Sequence, residues 1–570
     1  MKKLITFFIF LNFLSATAQG NLTITSSYPN NYFGNPLEIP MILSGTFGEL
    51  RPNHFHAGLD IKTEQREGLN VLASANGYVS RIKISHWGYG KAIYVTHPNG
   101  YTTVYAHVQK FNDRIETYLK DHQYKKESFE IELFPLASDL PISKGEIIAF
   151  SGSTGGFSGP HLHFEIRDSK TEKTINPMLF GIEIADAKKP TIKTLIGYSL
   201  AENSHINGLA VPVQLSYRKL TNGDFIANKI SAFGSIGFGI NATDQLDGAY
   251  NENGIYSLEM LVNGTLVHEF KATSTAFSEG RYINLLIDFE RYVKLNQRIQ
   301  KCFIEPSNKL NMYYNSVNNG FIIIEDGLDY TIDIVVKDFK GNTQKVTIPV
   351  YGKKEETVIA ASTKTTPYKI IATDFQKFNI DGVTIAFPKN TFYNDFYLDF
   401  EVNNGVAKVH TPTVPISDRY TLTFDVSNYS EAEKEKLYIA SIQKNGNSDY
   451  ESTVKKENSF YTSTKTLGNF KLLSDHTAPK ISLLNFNNNQ WLTNLNTLQV
   501  KISDQGSGIN TYRGEIDGEW ILMEYSVKNK TLTYNFSDKN FIDAKHELKV
   551  IVTDYVGNTS TLNATFFRKK

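Results

Sequence analysis

From Gly159 to Ile166 the chain reads Gly-Pro-His-Leu-His-Phe-Glu-Ile, with polar and apolar residues alternating after the proline. A β-strand turns successive side chains to opposite faces. His161 and His163 then point one way, and Leu162, Phe164 and Ile166 point the other. Two imidazoles on one face of a rigid element, backed by an apolar face, make a preformed half-site for a metal. Neutral imidazole offers a lone pair near physiological pH. A single His-x-His arises by chance often enough that it needs partners elsewhere in the chain.

The chain has 570 residues. That is too long for one core and predicts three to five domains of roughly 100–200 residues. Lys+Arg and Asp+Glu both number 59, so no net charge draws the chain to nucleic acid or an anionic surface. The 31 tyrosines and 37 phenylalanines, with short runs of Thr, Val and Ile, are the composition of packed β-structure. At the start, Lys2 and Lys3 precede an apolar run from Leu4 to Leu14 and then Ala16-Thr17-Ala18. This is the pattern of a secretory signal peptide over residues 1–18. No other segment is apolar enough to span a bilayer. Cys302 is the one cysteine, which excludes an intrachain disulfide and reads as a buried, inert thiol.

Texture divides the rest of the chain. Residues 19–187 are rich in Gly and His up to the linker Lys188-Lys189-Pro190, and the remainder reads as all-β modules at 188–352, 353–477 and 478–570. The first and last modules echo each other. Asp244-Gln245 leads to Gly254-Ile255 in one, and Asp504-Gln505 to Gly508-Ile509 in the other. Each copy closes on a strand and turn, Val336-Lys337-Asp338 through Asn342 and Val552-Thr553-Asp554 through Asn558. Both copies resemble bacterial Ig-like β-sandwich modules, the first carrying extra sequence around 290–320. Asp244, Asp247, Asn251 and Asn253 read as turn residues rather than calcium ligands. Ser430 and Glu433 form a capping-box pattern that predicts one short helix in the middle module.

Two further stretches accompany the His-x-His strand: His54-Phe55-His56-Ala57-Gly58-Leu59-Asp60 and Tyr105-Ala106-His107-Val108. His56 and Asp60 add an imidazole and a carboxylate. Two imidazoles and one carboxylate leave Zn²⁺ a fourth position for water, as catalytic zinc sites require, and such a water has a pKa near about 7. A Gly-rich run from Gly152 to Gly159 lacks the Gly-Lys-Ser/Thr of a phosphate loop. It reads as a loop beside a groove, with Gly155 at a close approach. His86, His97 and His122 read as solvated.

Ser44-Gly45, Phe47-Gly48, Arg51, His56 to Asp60, Tyr105 to His107, Gly155 and Gly159 to Glu165 together resemble, in order, the lysostaphin/LytM metallopeptidase family over about residues 40–182. The resemblance implies an antiparallel β-sheet domain with one Zn²⁺ held by His56, Asp60 and His163. It implies that His107 and His161 act on the attacking water or the oxyanion. Glu165 could orient an imidazole or lie on the surface, and His54 is at most a rim contact. Between His107 and Lys144 the chain departs from the family by an insertion, about 113–140, expected to cover or restrict the groove.

The function these readings imply is an exported zinc metallo-endopeptidase. It would hydrolyse peptide cross-links or stem peptides of peptidoglycan in the periplasm, at the cell envelope or outside the cell. The C-terminal modules would meet other envelope proteins. The alternatives are a non-catalytic envelope binding or activator protein built on the same domain, and a zinc peptidase acting on secreted proteins.

Overall fold

A computed structural model describes residues 28–156, 159–355, 359–360 and 364–569. The signal-peptide reading at 1–18 lies outside the described residues. Among the described residues no helix is long and apolar enough to cross a membrane.

The N-terminal unit is built on one antiparallel sheet. Its strands are β1 (Leu43–Gly45), β2 (Leu59–Lys62), β3 (Gly77–Ile84), β4 (Lys91–Thr96), β5 (Tyr101–Ala106), β6 (Ile131–Leu133) and β7 (His161–Asp168). They lie in the order β1-β2-β7-β5-β4-β3-β6, so β7 sits between β2 and β5. The alternation read in the sequence explains this central place. Leu162, Phe164 and Ile166 enter the main apolar cluster together with Leu59, Ile61 and Tyr105 from the flanking strands. A small second sheet of Asn70–Leu72, Ile147–Phe150 and Lys110–Phe111 lies beside it.

The insertion after His107 forms helix α1 (Asp113–Lys126), capped by the Asn112 side chain. It buries Ile115, Leu119 and Gln123. Its outer side meets the C-terminal module: Lys120 pairs with Asp538 at 2.6 Å, Glu127 with Arg513 at 2.5 Å, and Tyr124 packs edge-on to Trp520. The helix braces one domain against another, a different role from the groove cover expected of it.

The modules after it are strand-rich throughout. Strand Thr174–Ile175 pairs with Ser274–Thr275 of the second module, and a single apolar cluster runs from Phe33 to Val350. The N-terminal unit and residues 188–352 thus share a core rather than standing on separate ones. The third module packs two five-stranded sheets over a core of its own. Its short helix, Glu431–Lys436, carries the Ser430–Glu433 capping box that the sequence predicts. The last module packs a four-stranded on a five-stranded sheet. Cys302 is buried, and burial pushes its thiol pKa up. His97 differs from its solvated reading. It is buried, with Nδ1 2.8 Å from the Asn76 carbonyl and Nε2 2.8 Å from Thr103 Oγ1. His86 stacks on Phe129, so it too has an apolar neighbour.

Because β7 is held by its apolar face, Leu162→Ala is expected to destabilise the N-terminal unit by about 2–5 kcal/mol. The measurement is the midpoint of the first urea-unfolding transition; an unchanged midpoint would contradict the placement of β7 at the centre.

Candidate metal centre

Strand register assembles the site. His163 on β7 lies directly across from Asp60 on β2. On its other side it faces Ala106, the last residue of β5. His107 follows Ala106 at a left-handed φ of 61°, a sparsely populated backbone state that tends to occur at functional sites. His56 precedes Asp60 by a turn that presses on β7. A Cβ on Gly58 would stand 2.2 Å from the Phe164 carbonyl oxygen, so only glycine lets this turn lie so close. Three stretches far apart in sequence thus meet on one face of the sheet.

Three donor atoms converge there. His56 Nε2 lies 3.0 Å from Asp60 Oδ1 and 3.1 Å from His163 Nδ1, and His163 Nδ1 lies 2.8 Å from Asp60 Oδ1. Ligand bonds of about 2.0–2.1 Å in a tetrahedron put donors about 3.3 Å apart, close to this spacing. The remaining ring nitrogens decide the tautomers. His56 Nδ1 is 2.7 Å from the Thr46 carbonyl and donates to it. His163 Nε2 is 2.8 Å from Glu165 Oε1 and donates to that carboxylate. With both rings neutral, the nitrogens facing the common point carry lone pairs, which cannot hydrogen-bond to each other until a proton or a cation sits between them. A shared cation is the chemistry that fits them, and the second partners on Thr46 and Glu165 are the kind that orient metal-bound histidines.

The surrounding charge agrees. Asp60 is buried, which alone would raise its pKa, but His56 and His163 hold it well below the usual carboxylate range. Its other oxygen accepts from Arg51 Nη2 at 2.6 Å, and Arg51 is also held by Glu49 at 3.1 Å. Burial lowers His56 to about 4, so its imidazole is neutral at physiological pH. Burial also acts on His163, yet its contacts with Asp60 and Glu165 prevail and raise it to about 9. The pocket therefore favours positive charge at the convergence point, whether a proton or a metal supplies it.

Glu165 is no surface carboxylate. Though burial would raise its pKa, the Arg167 charge and the His163 hydrogen bond hold it at about 2. Arg167 Nε donates to its second oxygen at 2.6 Å, and the Tyr89 hydroxyl donates to the first. The Tyr89 ring also stacks on His163. Sequence reasoning missed both Tyr89 and Arg167. A signal for Arg167 exists, since it extends the alternation two residues past Glu165. Tyr89 sits between Gly88 and Gly90 with nothing local to mark it.

His107 and His161 flank the centre. Their ring centroids lie 4.8 Å apart, His107 is 5.8 Å from the His163 ring, and His161 Nε2 is 3.8 Å from Asp60 Oδ1. His107 Nδ1 donates to the Thr154 carbonyl at 2.9 Å and His161 Nδ1 to the Gly159 carbonyl at 3.1 Å. Each therefore keeps its lone pair on Nε2. Burial, then the neighbouring imidazoles, lowers His107 to about 3, and burial lowers His161 as well. Both are neutral and able to accept a proton. Gly155, at φ 83°, packs so tightly on the 88–90 loop that a Cβ would stand 2.3 Å from the Gly88 carbonyl oxygen. It shapes the loop rather than touching the centre.

A cavity of about 260 Å³ opens beside His56 and His163. Phe55 and Tyr89 line one wall, and Thr275, Phe277 and Gly280 of the second module line the other. His54 stands exposed on the cavity rim, its ring nitrogen turned to the Pro52 carbonyl. No residue of α1 lines this cavity.

Residues 54–124, which carry His56, Asp60 and His107, match peptidase family M23. The chain carries a peptidase M23 domain. Residues 368–475 match a Zu5-like domain. The chain is 29% identical over 164 residues to the DD-carboxypeptidase/endopeptidase Mpg of Neisseria meningitidis serogroup B, covering 28% of this chain and 31% of that protein. It is 31% identical over 131 residues to an uncharacterized metalloprotease of Haemophilus influenzae, covering 23% of this chain and 21% of that one. The chain thus spans under a third of the length of these curated relatives. Among solved structures, the catalytic domain of lysostaphin from Staphylococcus simulans is similar at 22% identity and a TM-score of 0.19, over 25% of this chain and 91% of that one. The M23 match ends at 124, and the strand order brings His161 and His163 back to it.

Glu165→Gln keeps the shape but weakens the acceptor on His163 Nε2. It is expected to lower divalent-metal affinity about 10–100-fold, measured by competition against a metal-binding dye; equal affinities would show that Glu165 plays no part in orienting His163.

Proposed function

We propose that the M23 domain is a zinc-dependent endopeptidase that hydrolyses stem or cross-link peptides of peptidoglycan. The observation that supports this most is the pair of tautomer-fixed imidazoles and one carboxylate aimed at a single point. Zinc suits a mixed N/O set of three, with a fourth position left open. When bound there, zinc acts as a Lewis acid and supplies a water acidic enough to attack at neutral pH.

The chain's own residues do the rest. Arg51 holds Asp60 by the oxygen that faces away from the convergence point, and Glu165 holds the His163 ring in its plane. His107 or His161, neutral with a lone pair on Nε2, takes the proton from the attacking water. The same imidazole, once protonated, returns that proton to the leaving amine. The other, with its own lone pair on Nε2, accepts the second O–H of the attacking water and orients it. The peptide approaches along the cavity beside His56, where Phe277 contributes an apolar wall that fits the small alkyl side chains of a wall peptide.

Two further considerations favour a wall substrate over a secreted protein. The meningococcal relative is named a DD-carboxypeptidase/endopeptidase, and the basic, apolar start of this chain fits export to the envelope. A non-catalytic binding role is less favoured, since every position of the implied site holds a residue that can perform its part.

The test is to load the full chain with zinc, incubate it with purified sacculi and identify new peptide termini by mass spectrometry. Release is expected from the native chain, with a loss of at least about 10³-fold in His163→Ala. A zinc-loaded chain that releases nothing from sacculi but still binds them would establish the binding role instead. If Phe277 forms a substrate wall, Phe277→Ala is expected to raise KM several-fold with kcat nearly kept, the signature of lost uniform binding. An unchanged KM would remove the second module from the substrate path.

A further inference from the structure

Away from the M23 domain, three carboxylates gather where each of two β-modules begins. Asp186, Asp244 and Asp338 bring oxygens within 4.8 Å of one another, and so do Asp475, Asp504 and Asp554. The two groups occupy matching places. Asp186 and Asp475 lie in the linkers that enter the second and last modules. Asp244 and Asp504 follow strands Ile230–Thr243 and Thr497–Ser503. Asp338 lies in the turn after strand Asp329–Lys337, and Asp554 ends strand Lys545–Asp554.

Part of the local construction repeats, and the last module adds bonds of its own: Ser507 donates from N and Oγ to Asp475 Oδ2, and the Gly506 and Gly508 amides donate to Asp504 Oδ2. Asp186 Oδ1 accepts from the Lys188 amide at 3.1 Å, and Asp475 Oδ1 from the Thr477 amide at 3.0 Å. Asn342 donates from Nδ2 to Asp338 Oδ2 at 2.7 Å and to the Asp186 carbonyl at 3.3 Å. Asn558 donates in the same way to Asp554 Oδ2 at 2.7 Å and to the Asp475 carbonyl at 3.0 Å.

Hydrogen bonds of this kind order the loops but do not neutralise three like charges. A separate observation points to a ligand. Asp244 is 3% exposed, and its Oδ1 is buried among the described residues with no hydrogen-bond donor. Asp504 is half-buried, its Oδ2 held by the Gly506 and Gly508 amides, and its Oδ1 is buried without a donor. Burial and the like charges of Asp186 and Asp338 raise Asp244 to about 7. A buried carboxylate oxygen with neither donor nor counter-charge costs several kcal/mol unless a proton or a cation meets it. In the sequence Asp244, Asp247, Asn251 and Asn253 read as turn residues. Asn251 keeps that reading, its Nδ2 bonded to Asn253 Oδ1 and the Ser44 carbonyl. Asp244 does not.

We infer that each triad is a site for a hard divalent cation of the calcium type, clamping an incoming linker to two loops of its module. Oxygen-only donors select Ca²⁺ or Mg²⁺ over the softer metals suited to histidine. At Ca²⁺–O distances of about 2.4 Å, ligand oxygens stand about 3.4 Å apart when adjacent and about 4.8 Å when opposed, and no two of the three oxygens in either triad lie further apart than 4.8 Å. Asp244 Oδ1 and Asp504 Oδ1 have both lone pairs for the metal, and Asp186 Oδ1, Asp475 Oδ1, Asp338 Oδ2 and Asp554 Oδ2, each accepting one hydrogen bond, keep a second. Ion binding would fix the angle at which the second module meets the M23 domain and the last module meets the Zu5-like one. The inference does not depend on the peptidase reading.

The test uses the full chain, stripped with EGTA, dialysed free of the chelator, reloaded with zinc and titrated with Ca²⁺ by calorimetry. Two ions per chain are expected, with Kd on the order of 0.1–1 mM as in extracellular modules, and a rise of several degrees in Tm. Asp244→Asn and Asp504→Asn should each lose one ion and part of the Tm rise. In EGTA each variant should match or exceed the native Tm, because a like charge has been removed. Absence of binding up to about 10 mM would overturn the inference. So would a variant whose Tm falls equally with and without Ca²⁺, which would mark the aspartates as structural hydrogen-bond acceptors.

Discussion

The pairing of His163 with Asp60 across two neighbouring strands is the constraint on which the catalytic unit depends. Side chains on a strand alternate with period two, so a slip of one residue would turn both groups into the core. The opposite face prevents the slip. Leu162, Phe164 and Ile166 are all buried in the main apolar cluster, and a slip of one residue would turn all three out of it. The convergence of His56, Asp60 and His163 is therefore specified by residues outside the group. Its precision comes from sheet packing rather than from loops, which suits a centre whose donors must converge within a few tenths of an ångström.

Electrostatics complete what register begins. The donor atoms lie under almost no solvent, so each ionised group must be balanced nearby or shift its pKa. The chain balances them in layers, with Arg51 and Glu49 outside Asp60, and Glu165, Arg167 and Tyr89 beneath His163. Breaking one partner of such a buried set leaves a bare charge, which costs far more than an exposed ion pair contributes. The layers also set which ring nitrogen carries the proton. The outer residues thereby decide whether the inner ones can bind a cation at all.

Much of this is legible in the chain itself, for reasons that can be stated residue by residue. His56, Asp60, His107, His161 and His163 stand in short motifs whose order resembles a known family, and the alternation in 161–166 marks both strand and facing. The capping box at Ser430 and Glu433 is a local signal and is readable locally. What escapes the sequence is non-local. Helix α1 is visible as an insertion, but its partners, Asp538, Arg513 and Trp520, lie some four hundred residues away. His97 reads as a polar turn residue, and only the carbonyl of Asn76 and the Thr103 hydroxyl make its burial tolerable. The shared core of the first two modules is likewise hidden, because composition marks a linker at 188–190 without telling how the flanking sheets pack.

That packing changes what the C-terminal modules do for the M23 domain. Read from sequence, they are modules that would meet other envelope proteins. In the fold they are walls and braces, since Phe277 lines the cavity beside His56 and the last module grips both α1 and the loop at 152–156. The grip can be followed atom by atom. Glu524 pairs with the Lys91 ammonium at 2.9 Å, and the Lys91 amide donates to Thr154 Oγ1 at 3.0 Å. The Thr154 carbonyl accepts the Nδ1 proton of His107. Lys91 is buried, so its charge needs Glu524, and moving the last module away would leave that charge unpaired in the wall of the loop. The carbonyl that sets the tautomer of His107 is thus positioned in part by Glu524, a residue of the last module.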